Sequence, residues 1–287
     1  MSPTTFGARL GDAMRALGPL CVGIDAHPSL LAAWGLPDDA SGLRSFALRT
    51  LDAVAGAVPV VKPQSAFFER HGSAGVAVLE EAIAAARARG LLVIVDAKRG
   101  DIGSTMSAYA DAYLRDGSPL AADALTVSPY LGFGSLAPAL AAMRETARGL
   151  FVLALTSNPE GASVQHARSE DGTPVAVAVA RAAAAVNAAE RKTTGGPLGS
   201  VGLVVGATVG DAAQRLGLDL AAVGGPLLAP GVGAQGAGSA ELVRVFGDAR
   251  GAVLATSSRG VLSAGPHRAA LRAAAERARD EAAAALR

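Results

Sequence analysis

The feature of this chain that most constrains its fold is a regular alternation of eight short apolar runs with longer alanine-rich segments. Each run lies between turn-forming residues, which predicts a buried strand, and the segments between the runs have helical spacing of apolar residues. The predicted strands are residues 20–24, 58–61, 91–95, 124–127, 150–155, 202–205, 226–229 and 252–255. The predicted helices are residues 41–57, 75–89, 104–115, 135–148, 174–191, 211–216, 239–246 and 266–286.

This alternation favours one α/β architecture. Strands that are apolar throughout and alternate with helices form parallel sheets covered on both faces. Eight such units in about 250 residues are the repeat count of a (β/α)8 barrel, and a doubly wound sheet is the main alternative. No shift in composition and no Pro- or Ser-rich linker divides the chain. The sequence therefore predicts a single (β/α)8 TIM barrel domain over residues 1–287, with an additional N-terminal helix.

Composition and charge exclude several classes of partner. Hydrophobic residues make up 51% and charged residues 18% of the chain, which is enough apolar surface for a core and excludes disorder. The 26 Lys and Arg residues nearly balance the 25 Asp and Glu residues, so we expect neither a nucleic acid nor a membrane as partner. The single cysteine, Cys21, cannot form an internal disulfide. Because no targeting segment is evident either, we expect a cytoplasmic protein.

Charged side chains cluster at the predicted ends of two neighbouring strands. Asp96 and Lys98 follow the third strand two residues apart, a spacing that points both side chains to the same side of an extended chain. Asp101 lies on the turn beyond them, and Lys62 ends the second strand. Charges of alternating sign offset each other's desolvation, so we expect all four to share one pocket at the barrel mouth. The alternative is an ordinary surface ion-pair cluster.

A glycine-rich loop follows the seventh strand and spells G-x-G-x-x-G at Gly231, Gly233 and Gly236. In a barrel, the loops after strands 7 and 8 commonly bind a phosphate through backbone N–H groups, which predicts Gln235 and Arg259 as phosphate ligands. The alternative is an NADP site in which Arg259 binds the 2′-phosphate.

Two further features belong to the loops at the same end of the predicted barrel. Ser157 ends the fifth strand and is either a ligand or a turn residue. The polar connection over residues 158–173 is the longest in the chain and is a candidate lid.

The motif D-x-K-x-x-D-I-x-x-T stands here as Asp96, Lys98, Asp101, Ile102 and Thr105, and it resembles the motif of the orotidine 5′-phosphate decarboxylase family. This family consists of metal-free (β/α)8 enzymes that make UMP. Further matches cover roughly residues 20–262, and the alanine-rich chain is similar to the actinobacterial-type branch. They lie at residues 23–25, 61–63, 156–161, 230–232 with Gln235, and 258–260.

The resemblance implies a role for each candidate residue and no cofactor or metal. Lys98 would donate a proton to C6 of the pyrimidine, and Asp96 would lie against the departing carboxylate. Lys62 and Asp101 would complete the charge network and touch the ribose hydroxyls, with help from Asp25 and Thr105. Ser157 would bind the pyrimidine amide edge, while Gln235 and Arg259 would hold the phosphate.

The resemblance also implies a homodimer, in which Asp101, Ile102 and Thr105 reach into the partner's site. One departure concerns the phosphate. Some family members add a tyrosine in the strand-7 loop, but none occurs between Gly231 and Phe246 here, which implies fewer phosphate contacts.

Three other functions remain open from the residues. A magnesium-dependent sugar-phosphate decarboxylase or aldolase can share the D-x-K-x-x-D barrel, but those relatives carry a carboxylate metal ligand where this chain has Lys62. An NADP-binding oxidoreductase would use the glycine loop. A non-catalytic phosphate-binding barrel would bind UMP without releasing CO2.

Overall fold

All eight predicted strands form in a computed structural model of the chain, which describes residues 4–232 and 238–287. Each strand pairs in parallel with the next, and the last pairs with the first, so the sheet is a closed barrel. Closure confirms the (β/α)8 fold over the doubly wound sheet. The strands are β1 (Leu20–Ile24), β2 (Val60–Pro63), β3 (Leu92–Arg99), β4 (Ala124–Val127), β5 (Gly149–Leu155), β6 (Val201–Val205), β7 (Leu227–Pro230) and β8 (Val253–Ser257).

Helices lie between the strands, as the alanine-rich segments predict, because alanine has the highest helix propensity and little bulk. They are α1 (Phe6–Leu17), α2 (Pro28–Ala33), α3 (Ala40–Val54), α4 (Ser65–Glu69), α5 (Gly72–Ala88), α6 (Gly103–Leu114), α7 (Ala137–Thr146), α8 (Ala162–Gln165), α9 (Val175–Thr194), α10 (Ala212–Leu216), α11 (Ser239–Phe246), α12 (Arg259–Leu262) and α13 (Arg268–Ala285). Among the described residues, none of these helices has the length and apolar content needed to cross a membrane.

The N-terminal helix α1 closes the floor of the barrel, which confirms the additional helix. Thr5 caps this helix by accepting a hydrogen bond from the Ala8 N–H. Phe6 and Leu10 are fully buried in the barrel interior together with Phe151, against whose ring Phe6 packs edge-on. Gly149 makes room for the ring, since a Cβ there would collide with Phe6. The opposite end of the barrel stays open and holds the polar residues.

Candidate active site

The C-terminal ends of the strands surround a cavity of about 350 Å³. Its floor is the top of the apolar barrel interior, formed by Leu153, Val204 and Leu228. Its wall is polar, so a bound molecule would meet an apolar base and charged sides. The sequence-predicted residues that line it are Asp25, Lys62, Asp96, Lys98, Ser157 and Arg259.

Asp96 bridges two lysines in this cavity. Lys62 Nζ lies 2.8 Å from Asp96 Oδ2, and Lys98 Nζ lies 2.6 Å from Asp96 Oδ1. The side chains of Lys62 and Asp96 are only 7% and 9% exposed, whereas that of Lys98 is 44% exposed. All three side chains line the cavity, and Lys98 is the most exposed of them.

The charges in this array stabilise one another. Burial alone would raise the pKa of the Asp96 carboxyl, but the Lys62 and Lys98 ammonium groups hold that pKa well below its usual range. Burial alone would lower the pKa of Lys62, but the Asp96 and Asp25 carboxylates raise it above its usual value. Both groups therefore carry their charge at neutral pH, which a single buried ion could not do.

Asp25 follows β1 and lines the same cavity. Its Oδ1 atom is buried and has no hydrogen-bond partner among the described residues. A buried carboxylate oxygen without a donor is costly, and a ligand hydroxyl would satisfy it. Gly23, two residues earlier, lets the residue after β8 approach closely, because a Cβ there would collide with the Ser258 hydroxyl.

Sequence reasoning missed two residues that donate hydrogen bonds to Asp96. Gln64 Nε2 lies 3.1 Å from Asp96 Oδ2, and Thr126 Oγ1 lies 2.8 Å from Asp96 Oδ1. A signal existed for each. Gln64 is polar and follows the end of β2, and Thr126 is the one polar residue within the apolar run of β4.

The backbone at Lys98 departs from the extended chain that the two-residue spacing assumes. Lys98 adopts the left-handed conformation, with a φ of 48°. The pairing of β3 with β4 shifts register between Val95 and Arg99. The two side chains meet because of this irregularity, and not because they project together from a regular strand.

Asp101 does not join the charge network of its own chain, so only three of the four expected charges meet there. Neither Asp101 nor Ile102 nor Thr105 lines the cavity. Asp101 Oδ1 accepts a hydrogen bond from the Ile102 N–H at 2.8 Å, and the Ile102 side chain is 62% exposed. These three residues therefore do not contribute to the wall of the cavity in their own barrel.

The structure describes only some of the residues of the predicted phosphate site. Arg259 is the first residue of α12 and is exposed at the cavity rim. Within the described residues it forms no ion pair with a carboxylate. Gly231 also lines the cavity and has a φ of 97°, which requires glycine. Gln235, Gly233 and Gly236 lie outside the described residues.

The connection after β5 carries more local structure than a plain loop. It holds a 3₁₀ turn at Pro159–Gly161, helix α8, and an isolated antiparallel bridge between Arg168 and Pro174. Gln165 Oε1 accepts a hydrogen bond from the Thr156 N–H at 2.8 Å. Ser157 and Asn158 at its start line the cavity.

The chain is similar to known proteins over most of its length. The model of the orotidine 5′-phosphate decarboxylase / HUMPS family matches residues 18–274. Curated proteins named orotidine 5′-phosphate decarboxylase from Streptomyces coelicolor and Salinispora arenicola are each 59% identical over 262 residues, covering 91% of this chain and 91% of theirs. A crystal structure of a Streptomyces avermitilis protein with the same description has a TM-score of 0.93 at 59% identity, covering 100% of this chain and 97% of that one.

Proposed function

The chain belongs to the orotidine 5′-phosphate decarboxylase / HUMPS family and is a carboxy-lyase that converts orotidine 5′-phosphate (OMP) to UMP and CO2, and we propose that Lys98, Asp96 and Lys62 carry out this reaction. The observation that carries the proposal is the buried array in which Asp96 binds both lysines at the mouth of the barrel. Of the three, Lys98 has the most exposed side chain.

The reaction needs electrostatic stabilisation at one carbon atom. When the bond between C6 and the carboxyl group breaks, CO2 leaves and the electron pair stays on C6, where no adjacent carbonyl delocalises it. A fixed ammonium group aimed at C6 stabilises that charge and then supplies the proton that forms the C6–H bond. Lys98 occupies this position in the proposal, and its nitrogen regains a proton from solvent.

Asp96 and Lys62 hold the proton donor in place. Asp96 lies between the two ammonium groups, and in the proposal the departing carboxylate of OMP lies against it. One hydrogen bond from the buried Lys62 holds the Asp96 carboxylate, and that carboxylate in turn holds the Lys98 ammonium group. Preorganised charges of this kind need no rearrangement during the reaction.

The remaining predicted residues bind the rest of the nucleotide. Asp25, whose Oδ1 has no donor among the described residues, accepts a hydrogen bond from a ribose hydroxyl. Ser157 binds the pyrimidine amide edge, and Arg259 with Gln235 holds the phosphate. Arginine makes two-pronged, charge-assisted contacts with phosphate. In the proposal, this remote binding energy aligns the ring and holds residues 158–173 closed as a lid.

We further propose that the active unit is a cytoplasmic homodimer. Asp101, Ile102 and Thr105 would complete the partner's site, which agrees with the finding that none of them lines the cavity of its own chain. The exposed side chains of Ile102, Tyr130 and Leu131 lie on the neighbouring loops after β3 and β4. Exposed apolar side chains grouped in this way are typical of protein interfaces.

The test follows the ultraviolet absorbance of OMP with purified protein, with and without EDTA. We expect activity that survives the chelator. Activity lost with EDTA would favour the magnesium-dependent sugar-phosphate enzymes, and UMP binding without loss of OMP would favour a non-catalytic barrel. Titration with NADPH tests the oxidoreductase alternative, and we expect the protein not to bind NADPH.

Lys98→Ala should abolish turnover with the fold intact, because it removes both the fixed charge and the proton donor. Lys192→Ala is the matched control, since Lys192 is exposed near the end of α9, away from the cavity. Turnover and circular dichroism are measured for both variants. Substantial decarboxylation by the Lys98 variant would remove Lys98 from the role of proton donor.

A further inference from the structure

Thr126 is a buried polar side chain to which the proposed chemistry gives no role. It lies on β4 and is only 1% exposed, between the apolar residues Leu125 and Val127. A buried hydroxyl is costly unless it is hydrogen-bonded. Its hydrogen bonds therefore indicate what the residue does.

The Thr126 hydroxyl makes two hydrogen bonds, and their directions are determined. The backbone N–H of Lys98 can only donate, so Thr126 Oγ1 accepts from it at 3.0 Å. The Asp96 carboxylate can only accept, so the hydroxyl donates its proton to Asp96 Oδ1 at 2.8 Å. Lys98 Nζ binds the same Oδ1 atom at 2.6 Å. The three residues form a closed hydrogen-bonded ring that begins and ends on Lys98.

This ring lies where the pairing of β3 with β4 is irregular. Val95 pairs with Leu125, and Arg99 pairs with Val127. Between these two pairs, residues 96–98 of β3 stand opposite Thr126 alone. Thr126 is thus the β4 residue that faces the bulge, and its side chain binds the first and last residues of that bulge.

The backbone of the bulge needs such support. The left-handed conformation of Lys98, a residue with a Cβ, is sterically unfavourable and persists only where the surroundings enforce it. The hydrogen bond from the Lys98 N–H to Thr126 replaces a regular ladder bond at this point. This bond fixes the backbone from which the Lys98 side chain extends, while Asp96 fixes the Lys98 ammonium group at its end.

We propose that Thr126 is a positioning residue that sets the location of the Lys98 ammonium group through the Lys98 backbone and the Asp96 carboxylate. Thr126 also lines the cavity, and in the proposal it acts through these two residues. The inference rests on the roles proposed above for Lys98 and Asp96.

The test compares Thr126→Val, which keeps the shape and removes the hydroxyl, with Thr126→Ser, which keeps the hydroxyl. We expect the valine variant to lose up to about 100-fold in kcat, because small misplacements of a reacting group have effects of this order. Its KM for OMP and its affinity for UMP should change little. The serine variant should recover most of the wild-type kcat.

The matched control is Thr50→Val. Thr50 is fully buried in α3, and its hydroxyl donates to the Phe46 carbonyl, far from the cavity. We expect this variant to unfold at lower temperature with an unchanged kcat. Thr126→Ala is measured beside Thr126→Val, since it places no methyl group against Asp96.

Four outcomes would overturn the inference. The first is a wild-type kcat in both Thr126→Val and Thr126→Ala, and the second is an equal loss of kcat in Thr126→Ser and Thr126→Val. The third is an effect of Thr126→Val on KM for OMP alone, and the fourth is a failure of both Thr126→Val and Thr126→Ala to fold. If Lys98→Ala retained turnover, the proposed function of Lys98 would fail first. If Lys98→Ala is inactive and Thr126→Val turns over normally, only the positioning role fails.

Discussion

At the scale of the residue, the site is organised around one carboxylate. Asp96 accepts hydrogen bonds from Lys62 and Gln64 at Oδ2 and from Lys98 and Thr126 at Oδ1. Four donors occupy its lone pairs, and two of them carry positive charge. This explains how a buried charge is tolerated at the mouth of an apolar barrel. It also leaves the carboxylate little freedom to rotate.

The lowered pKa of Asp96 predicts a dependence of stability on pH. Its folded-state pKa lies below the unfolded value of about 3.9, so its contribution is complete above that pH and is lost as the pH falls towards the folded value. The free energy of unfolding should therefore decrease on acidification below about pH 4, and less steeply in Asp96→Asn. Urea unfolding at several pH values and one fixed protein concentration measures both slopes. Parallel curves for the two proteins would contradict the prediction.

At the scale of the element, β3 shows the largest difference between the predicted and observed bounds. The apolar run predicts a strand ending at residue 95, but the strand continues to Arg99. Residues 96–99 remain in the sheet because hydrogen bonds to β4 hold them, despite their charge. The extension carries both Asp96 and Lys98. A prediction based on hydrophobicity ends this strand before its first charged residue, and the charged residues are the ones that form the site.

Helix α1 is the second element whose role depends on packing. Its residues Phe6 and Leu10 fill the floor of the barrel above which Cys21 lies. Burial in this interior raises the pKa of the Cys21 thiol to about 12. The thiol should therefore be protonated and inaccessible in the folded protein.

Phe6→Ala should destabilise the protein by about 3–5 kcal/mol, because it removes a buried aromatic side chain and leaves a cavity. Urea unfolding measures this loss. The Cys21 thiol should also react faster with a thiol reagent at pH 8 than in the wild type, since the floor opens more often. Phe6→Leu is the control and should lose less stability. Unchanged stability and thiol reactivity in Phe6→Ala would show that Phe6 does not close the floor of the barrel.

At the scale of the whole molecule, both ends of the chain are tied to the same barrel. β8 pairs with β1 through Leu20 and Ala255, and α1 closes the floor. That residues 1–287 form one domain stays a prediction from the sequence. The proposed dimer would add a second level of assembly. Each cavity lacks the Asp101 of its own chain, and the partner chain would supply an Asp101 to it.

The dimer can be tested by combining two inactive chains. Lys98→Ala and Asp101→Ala should each be inactive as homodimers. Co-expression with two different tags allows the mixed dimer to be isolated. If Asp101 acts on the partner's site, one site of the mixed dimer has both residues intact, and activity should return to about half of the wild-type value. An inactive mixed dimer would place Asp101 in its own chain's site.

The sequence by itself determined the eight strands, the helices between them and the position of Asp25, Lys62, Asp96, Lys98 and Arg259 at the mouth of the barrel. These follow from apolar periodicity and turn residues, which depend on neighbours in the chain. Only the tertiary structure decided the bulge at Lys98, the contacts of Gln64 and Thr126 with Asp96, and the separation of Asp101 from its own cavity. Those features depend on the register between strands, and Thr126 lies 30 residues from Asp96 in the chain, so no local pattern encodes their hydrogen bond.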